Sequence, residues 1–182
     1  MSPKSTVYKV ELQISDLDRH YYQEHNLTLA LHPSETEERM MVRLLAFAMN
    51  ADERLNFGRG LSSDDEPDLW QRSDTGEIDL WIETGQPDEQ RVRRACGRAR
   101  HVLIYTYSGR SAQVWWEKVG STLGRKNLTV IDLPSESVVA LTSLAARTMR
   151  LQCMVEDHHV QLMNADGSVS IDPIVRVAAQ LR

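Results

Sequence analysis

The residues best suited to chemistry lie between Glu66 and Gln86. Four acids, Glu66, Asp68, Asp79 and Glu83, fall in a stretch that also holds Trp70 and Trp81. The stretch reads as two strands joined by the breaker cluster Ser73-Asp74-Thr75-Gly76. In the second strand Ile78, Leu80 and Ile82 alternate with Asp79, Trp81 and Glu83. A four-residue turn over 73–76 pairs Arg72 with Glu77, Asp68 with Trp81 and Glu66 with Glu83. One face then carries all four acids. A slip of one residue would send Glu66 and Asp68 to the other face. Clustered carboxylates repel, and water, protonation, a basic partner or a divalent metal must offset that cost. A solvated acidic hairpin is the simpler reading. Trp70 and Trp81 on the same face weigh against it, because an open polar strand has little use for both.

The chemistry available to such acids is that of an oxygen-liganded ion. Mg²⁺ takes carboxylate and water oxygens and leaves room for phosphate. It lowers the pKa of bound water and clamps a phosphate oxygen, and a nearby Lys or Arg stabilises the charge that builds there. Asp68 and Glu83 supply the acids. Arg91, Arg93, Arg94, Arg98 and Arg100 follow, five arginines in ten residues. They read either as ion-pair partners of the acidic strands or as phosphate contacts, for which the guanidinium fork is suited. Other chemistries lack their residues. The chain has no CxxC or HxxxH spacing, no GxSxG, no Walker A loop and no GxGxxG. His158 and His159 are adjacent, would point to opposite sides of a strand and cannot easily share an ion.

The positioning elements follow from periodicity. Val10, Leu12 and Ile14 alternate with polar residues over 5–16, and Leu27 to Leu31 alternate in a second strand, so the two can pair as a hairpin. Pro33-Ser34-Glu35-Thr36-Glu37 reads as a helix start, with Ser34 as N-cap and Glu37 closing a capping box. Glu35 and Glu38 then lie in the first turn, favoured by the macrodipole, although either could reach toward the hairpin acids. Met40, Met41, Leu44, Leu45 and Ala48 form the core stripe. A loop is expected from Phe57 to Asp65. Pro87-Asp88-Glu89 opens a second helix with Val92, Ala95 and Ala99 inward. Val102 to Tyr107 reads as a central strand covered on both faces. A third helix (Ala112, Trp115, Trp116, Val119, Leu123), a strand over 128–133 and a fourth helix from Ser135 follow. The tail alternates again and reads as an antiparallel meander that extends the first hairpin. The class is α+β.

The totals fit one soluble domain of 182 residues. A formal net charge of −5 argues against a protein that coats nucleic acid, without excluding a local basic patch. No apolar run is long enough to span a bilayer, and Met1 to Lys9 lack the apolar core of a signal peptide. Cys96 and Cys153 are far apart and are expected to be buried free thiols. A cytoplasmic bacterial protein is the expectation, with no membrane partner.

Four strings carry a resemblance: 32–41 (HPSETEERMM), 50–55 (NADERL), 64–70 (DDEPDLW) and 78–89 (IDLWIETGQPDE). In these the chain resembles the YaeQ family of small bacterial proteins over nearly its full length. The resemblance implies a single domain over 1–182 and a variant of the PD-(D/E)xK nuclease fold. Its core would cover 33–133, with antiparallel strand extensions from 5–31 and 146–172. Pro67-Asp68 matches the motif's Pro-Asp element and Glu83 its second acid. Glu38 corresponds to a first-helix acid that some members place near the metal. The motif lysine should fall at 85, where Gly85 stands. Gln86, Arg91 or Arg94 could substitute. The resemblance thus implies an Mg²⁺- or Mn²⁺-dependent nuclease. Its metal ligands would be Asp68 and Glu83, supported by Asp79 or Glu38. Gln86 would take part in catalysis, and Arg91 and Arg94 would bind phosphate. The alternatives are a non-catalytic module that binds nucleic acid or protein, and an interaction factor that uses the acids as an ion-pair patch.

Overall fold

Alternating strands at both ends of the chain and helix-forming periodicities between them yield eleven strands and four α-helices among the described residues, 4–60 and 63–181 of a computed structural model. In chain order these are β1 (Thr6–Asp16), β2 (Tyr21–Leu31), α1 (Glu37–Asn50), β3 (Leu55–Phe57), β4 (Leu69–Arg72), β5 (Ile78–Thr84), α2 (Glu89–Arg98) and β6 (Ala99–Thr106). There follow α3 (Arg110–Lys118), β7 (Leu128–Asp132), α4 (Ser135–Leu141), β8 (Thr148–Glu156), β9 (His159–Met163), β10 (Ser168–Ile171) and β11 (Ile174–Val177). The chain divides into two compact units. One comprises Met1–Met49 and Pro134–Pro173, the other Asn50–Leu133 and Ile174–Arg182.

The first unit holds a five-stranded sheet in the order β10-β9-β8-β1-β2. Val10, Leu12 and Ile14 are buried along β1 while Lys9, Glu11 and Gln13 are exposed, as period-two alternation requires. β1 and β2 form the expected hairpin, from Thr6 opposite Leu31 to Asp16 opposite Tyr21. The tail forms the expected antiparallel meander. The seam between the two hairpins is parallel, with Lys9 opposite Thr148 and Asp16 opposite Val155. A parallel pair needs a long crossover, and more than a hundred residues separate these strands in the chain.

Helix α1 starts later than the capping-box reading places it. The N–H of Arg39 donates to Thr36 Oγ1 (3.2 Å), so Thr36 is the N-cap, while the Ser34 hydroxyl pairs with the His32 ring. Glu35 therefore precedes the helix. Its buried carboxylate takes Arg39 at 2.7 Å and Arg43 at 2.7 Å, and Arg43 also donates to the Ala30 carbonyl. That ion cluster fixes the start of α1 to the end of β2, and it outcompetes solvation of Glu35 in a first turn.

The second unit holds a six-stranded mixed sheet, β11-β7-β6-β5-β4-β3. β5, β6 and β7 are parallel, and the rest are antiparallel. β6 is central, with Val102, Leu103, Ile104 and Tyr105 all buried. α2 and α3 bring Val92, Ala95, Cys96 and Trp115 onto Trp70, Trp81, Val102, Ile104 and Val130 in one apolar cluster. Neither β3 nor β11 is expected as a strand from the sequence: of β3, Phe57 falls at the start of the expected loop, and β11 lies beyond the strand extension expected to end at 172. At three and four residues, they are too short to show a period and are recognised by their pairing. Both cysteines are free and buried, as expected. Among the described residues no helix is long and apolar enough to cross a membrane.

The cap assignment has a direct check. Thr36→Ala should cost about 1 kcal/mol of unfolding free energy, and Ser34→Ala only a few tenths. Urea midpoints of the two variants decide it: equal shifts, or a larger one at Ser34, would contradict the Thr36 cap.

Candidate metal centre on the β4–β5 hairpin

The hairpin register differs by two residues from the one expected. Trp70 lies opposite Trp81, Leu69 opposite Ile82, and Arg72 opposite Ile78. A bulge between Gln71 and Arg72 absorbs one residue, and Ser73 N–H donates to the Glu77 carbonyl to close a longer turn. A two-residue shift leaves each side chain on its original face. The two indoles therefore still share a face and meet edge-on, with centroids 6.1 Å apart. Continuing this register brings Asp68, rather than Glu66, across from Glu83.

Asp68 is 1% exposed and Glu83 is 4% exposed. Asp68 Oδ2 accepts from the Thr84 N–H (2.8 Å) and the Thr84 hydroxyl (2.9 Å). Gly60 permits a close approach to it, since a Cβ there would stand 2.3 Å from Asp68 Oδ1. Glu83 Oε1 accepts from the Trp81 indole N–H (2.9 Å) and from Arg91 Nε (2.8 Å). Arg91 also donates to the carbonyls of Ser63 (3.2 Å) and Glu66 (2.9 Å). The helix start aims this guanidinium, because Asp88 caps α2 by accepting the Arg91 N–H at 2.8 Å.

Burial pushes the Glu83 carboxyl up to about 7, and the nearby Asp68 charge pushes in the same direction. Arg91 and the Trp81 N–H oppose the rise without cancelling it. The site thus holds two neighbouring buried acids, with the Arg91 guanidinium bound to Glu83.

Other expected members stand elsewhere. Asp79 pairs with Arg54 at 3.3 Å, and Glu66 with Arg59 at 3.4 Å, so neither joins the buried pair. Glu38 lies in the first turn of α1, in the first unit. Gln86 follows the end of β5, and its side-chain oxygen accepts the Tyr107 N–H at 3.4 Å. Arg94 is exposed and has no hydrogen-bond or ion-pair partner among the described residues. Arg91 is committed to Glu83 and two loop carbonyls rather than left open for phosphate. Sequence reasoning missed Thr84, Trp81 Nε1 and Gly60 as parts of the site. The closeness of Gly58 and Gly60 to Pro67-Asp68 in the chain was the available signal. Gly85, at the motif lysine position, has φ +93° and its N–H donates to the Tyr105 carbonyl at 2.8 Å. A lysine there would have to adopt a left-handed backbone that L residues avoid.

Two carboxylates fit one Mg²⁺- or Mn²⁺-class ion, with water and phosphate oxygens completing its shell. They do not form a closed cage, since no three His, Cys, Asp or Glu side chains gather to hold an ion among the described residues.

The pH dependence of stability follows from the Glu83 shift. Its proton affinity is higher folded (about 7) than unfolded (4.5), so the folded state binds more protons between these values. Stability should fall as pH rises from 4.5 through 7, by at most about 3 kcal/mol. In chelator-containing buffer, thermal melts should show that Glu83→Gln flattens this slope. A wild-type slope unchanged in the variant would contradict the assignment.

The comparisons fit the fold. The model of the YaeQ family matches residues 1–173. The YaeQ protein of Escherichia coli (strain K12) is 45% identical over 173 residues, covering 94% of this chain and 96% of that one. The YaeQ protein of Salmonella typhi is 46% identical over 172 residues, covering 94% and 95%. The crystal structure of the YaeQ protein from Xanthomonas axonopodis pv. citri superposes with a TM-score of 0.92 at 55% identity, over 96% of this chain and 99% of that one. That of Pseudomonas syringae gives 0.91 at 36% identity, over 96% and 97%. With the matched family model spanning nearly the whole chain, this protein belongs to the YaeQ family.

Proposed function

We propose that the protein is a divalent-metal-dependent nuclease or phosphodiesterase of the PD-(D/E)xK type, with Asp68 and Glu83 holding one Mg²⁺ or Mn²⁺ ion beside a nucleic-acid phosphate. The observation that carries this reading is the pair of buried acids, Glu83 on β5 and Asp68 just before β4, with Arg91 bound to Glu83. When bound, such an ion polarises a phosphate oxygen and lowers the pKa of a water. The chain's own residues do the rest. Thr84 fixes one Asp68 oxygen, and Trp81 and Arg91 fix one Glu83 oxygen, so both acids are preorganised. Gln86 lies next to Gly85 and can offer amide N–H donors to a phosphate oxygen in place of the missing lysine. Arg94 is the open cation for phosphate contact.

Charge distribution supports a nucleic-acid ligand. The second unit carries fourteen Lys and Arg against fourteen Asp and Glu, so the whole net charge of −5 belongs to the first unit. The overall acidity therefore does not bear on the unit that holds the hairpin. The proposed location is the cytoplasm, where nucleic acid is available.

The second reading is a non-catalytic module that keeps this framework and binds nucleic acid or a protein. The backbone of Gly85, which disfavours any lysine at that position, favours it.

Cleavage of labelled single- and double-stranded DNA and RNA with Mg²⁺ or Mn²⁺ separates the two. Wild type should cleave, and Glu83→Ala and Asp68→Asn should lose activity by about 100-fold or more. Salt-sensitive binding without cleavage would establish the second reading. Equal cleavage by wild type and both variants would remove the hairpin from the chemistry.

A further inference from the structure

Beside Glu83, between α2 and the loop residues Asp64 and Asp65, lies a cavity of about 410 Å³ that Arg91 also lines. That is within the size range of small-ligand sites. Its walls include Trp81, Arg94, Arg98, Gly97, Asp64 and Asp65. We propose that this cavity is a nucleotide subsite that receives one splayed nucleotide of a single-stranded nucleic acid. The proposal rests on the nucleic-acid reading above and names the substrate class of the same site.

Three observations carry it. The Arg98 guanidinium lies over the Trp81 ring, 5.1 Å from its centroid, and donates to the Asp65 carbonyl at 3.0 Å. The indole and that hydrogen bond hold the guanidinium, which leaves a planar cation as a stacking platform for a base. Next, the cavity mixes charges. Arg94 has no partner among the described residues and suits a phosphate. Asp64 and Asp65 are acceptors, which suit the exocyclic amino groups of a base and repel a bare anion. A nucleotide carries both features, and inorganic phosphate only one.

The third observation is Gly97. It lies in the last turn of α2 with no positive φ, and a Cβ there would meet nothing within 4 Å among the described residues. Neither backbone conformation nor packing within the protein asks for glycine, which costs helix stability relative to alanine. Its consequence is an open cavity wall. The cavity also adjoins the proposed chemistry, because Trp81, one of its lining residues, donates its indole N–H to Glu83, and Arg91, another, donates to the same carboxylate. A duplex keeps its bases stacked, so a cavity for one base selects single strands.

The test is fluorescence anisotropy with short labelled oligonucleotides, single-stranded and duplex, in chelator-containing buffer. Under these conditions it can succeed or fail independently of metal-dependent cleavage. The single strand should bind more tightly than the duplex, and a nucleoside monophosphate should compete better than inorganic phosphate. Arg94→Ala and Gly97→Gln should each weaken single-strand binding about tenfold. Gly97→Ala should raise Tm by about 2 °C, which shows that the position is open in the folded protein. Undetectable single-strand binding, binding indifferent to Gly97→Gln, equal or tighter duplex binding, or equal competition by inorganic phosphate would overturn the subsite. Loss of cleavage with this binding intact would instead overturn the nuclease reading and leave the subsite standing.

Discussion

The contact between the buried Glu83 carboxyl and the Arg91 guanidinium constrains the whole β4–β5 region. Two acids in a dry strand pair repel each other and lose hydration, so at least one must be neutralised or protonated. Arg91 supplies a guanidinium hydrogen-bonded to Glu83 at 2.8 Å. Holding it there requires α2 to begin at Asp88, and it draws the carbonyls of Ser63 and Glu66 toward the same group. Strand, helix start and loop are thus fastened to one charge. Removing one partner of such a buried pair typically costs about 3–5 kcal/mol. The site therefore organises the fold around it and keeps two buried carboxyl groups side by side.

The strands and helices with long periods were legible in the sequence. Alternation in β1 and the apolar run of β6 required no tertiary information, and Val92 and Ala95 marked the buried stripe of α2 correctly. What was not legible depended on competition between equally plausible local partners. Ser34 and Thr36 both suit an N-cap, and the choice fell to Thr36 because Glu35 is claimed by Arg39 and Arg43. Turn geometry was the other gap. The turn and the bulge each moved the hairpin register by one, so Asp68 took the position expected of Glu66.

The same contrast holds within the site. Asp68 and Glu83 were recognisable from their types and from the hairpin that carries them. Asp79 shares a strand with Glu83, but its carboxylate is held by Arg54, a partner 25 residues away in the chain. The role of Arg91 was equally hidden. From sequence it was one of five arginines on a helix, and only the packing of α2 on the sheet separates it from the exposed Arg94. Gly85 reads in the sequence as a lost lysine. In the structure it is a turn with φ +93°, so the position serves the exit of the chain from β5.

The proposed cation centre is formed by Asp68 and Glu83. Titration of Mn²⁺ into wild type and Glu83→Gln, read by the electron paramagnetic resonance of the free ion, measures this without any substrate. The account predicts one saturable site in wild type that is lost or strongly weakened in the variant. No saturable binding in wild type, or identical binding in both proteins, would contradict it.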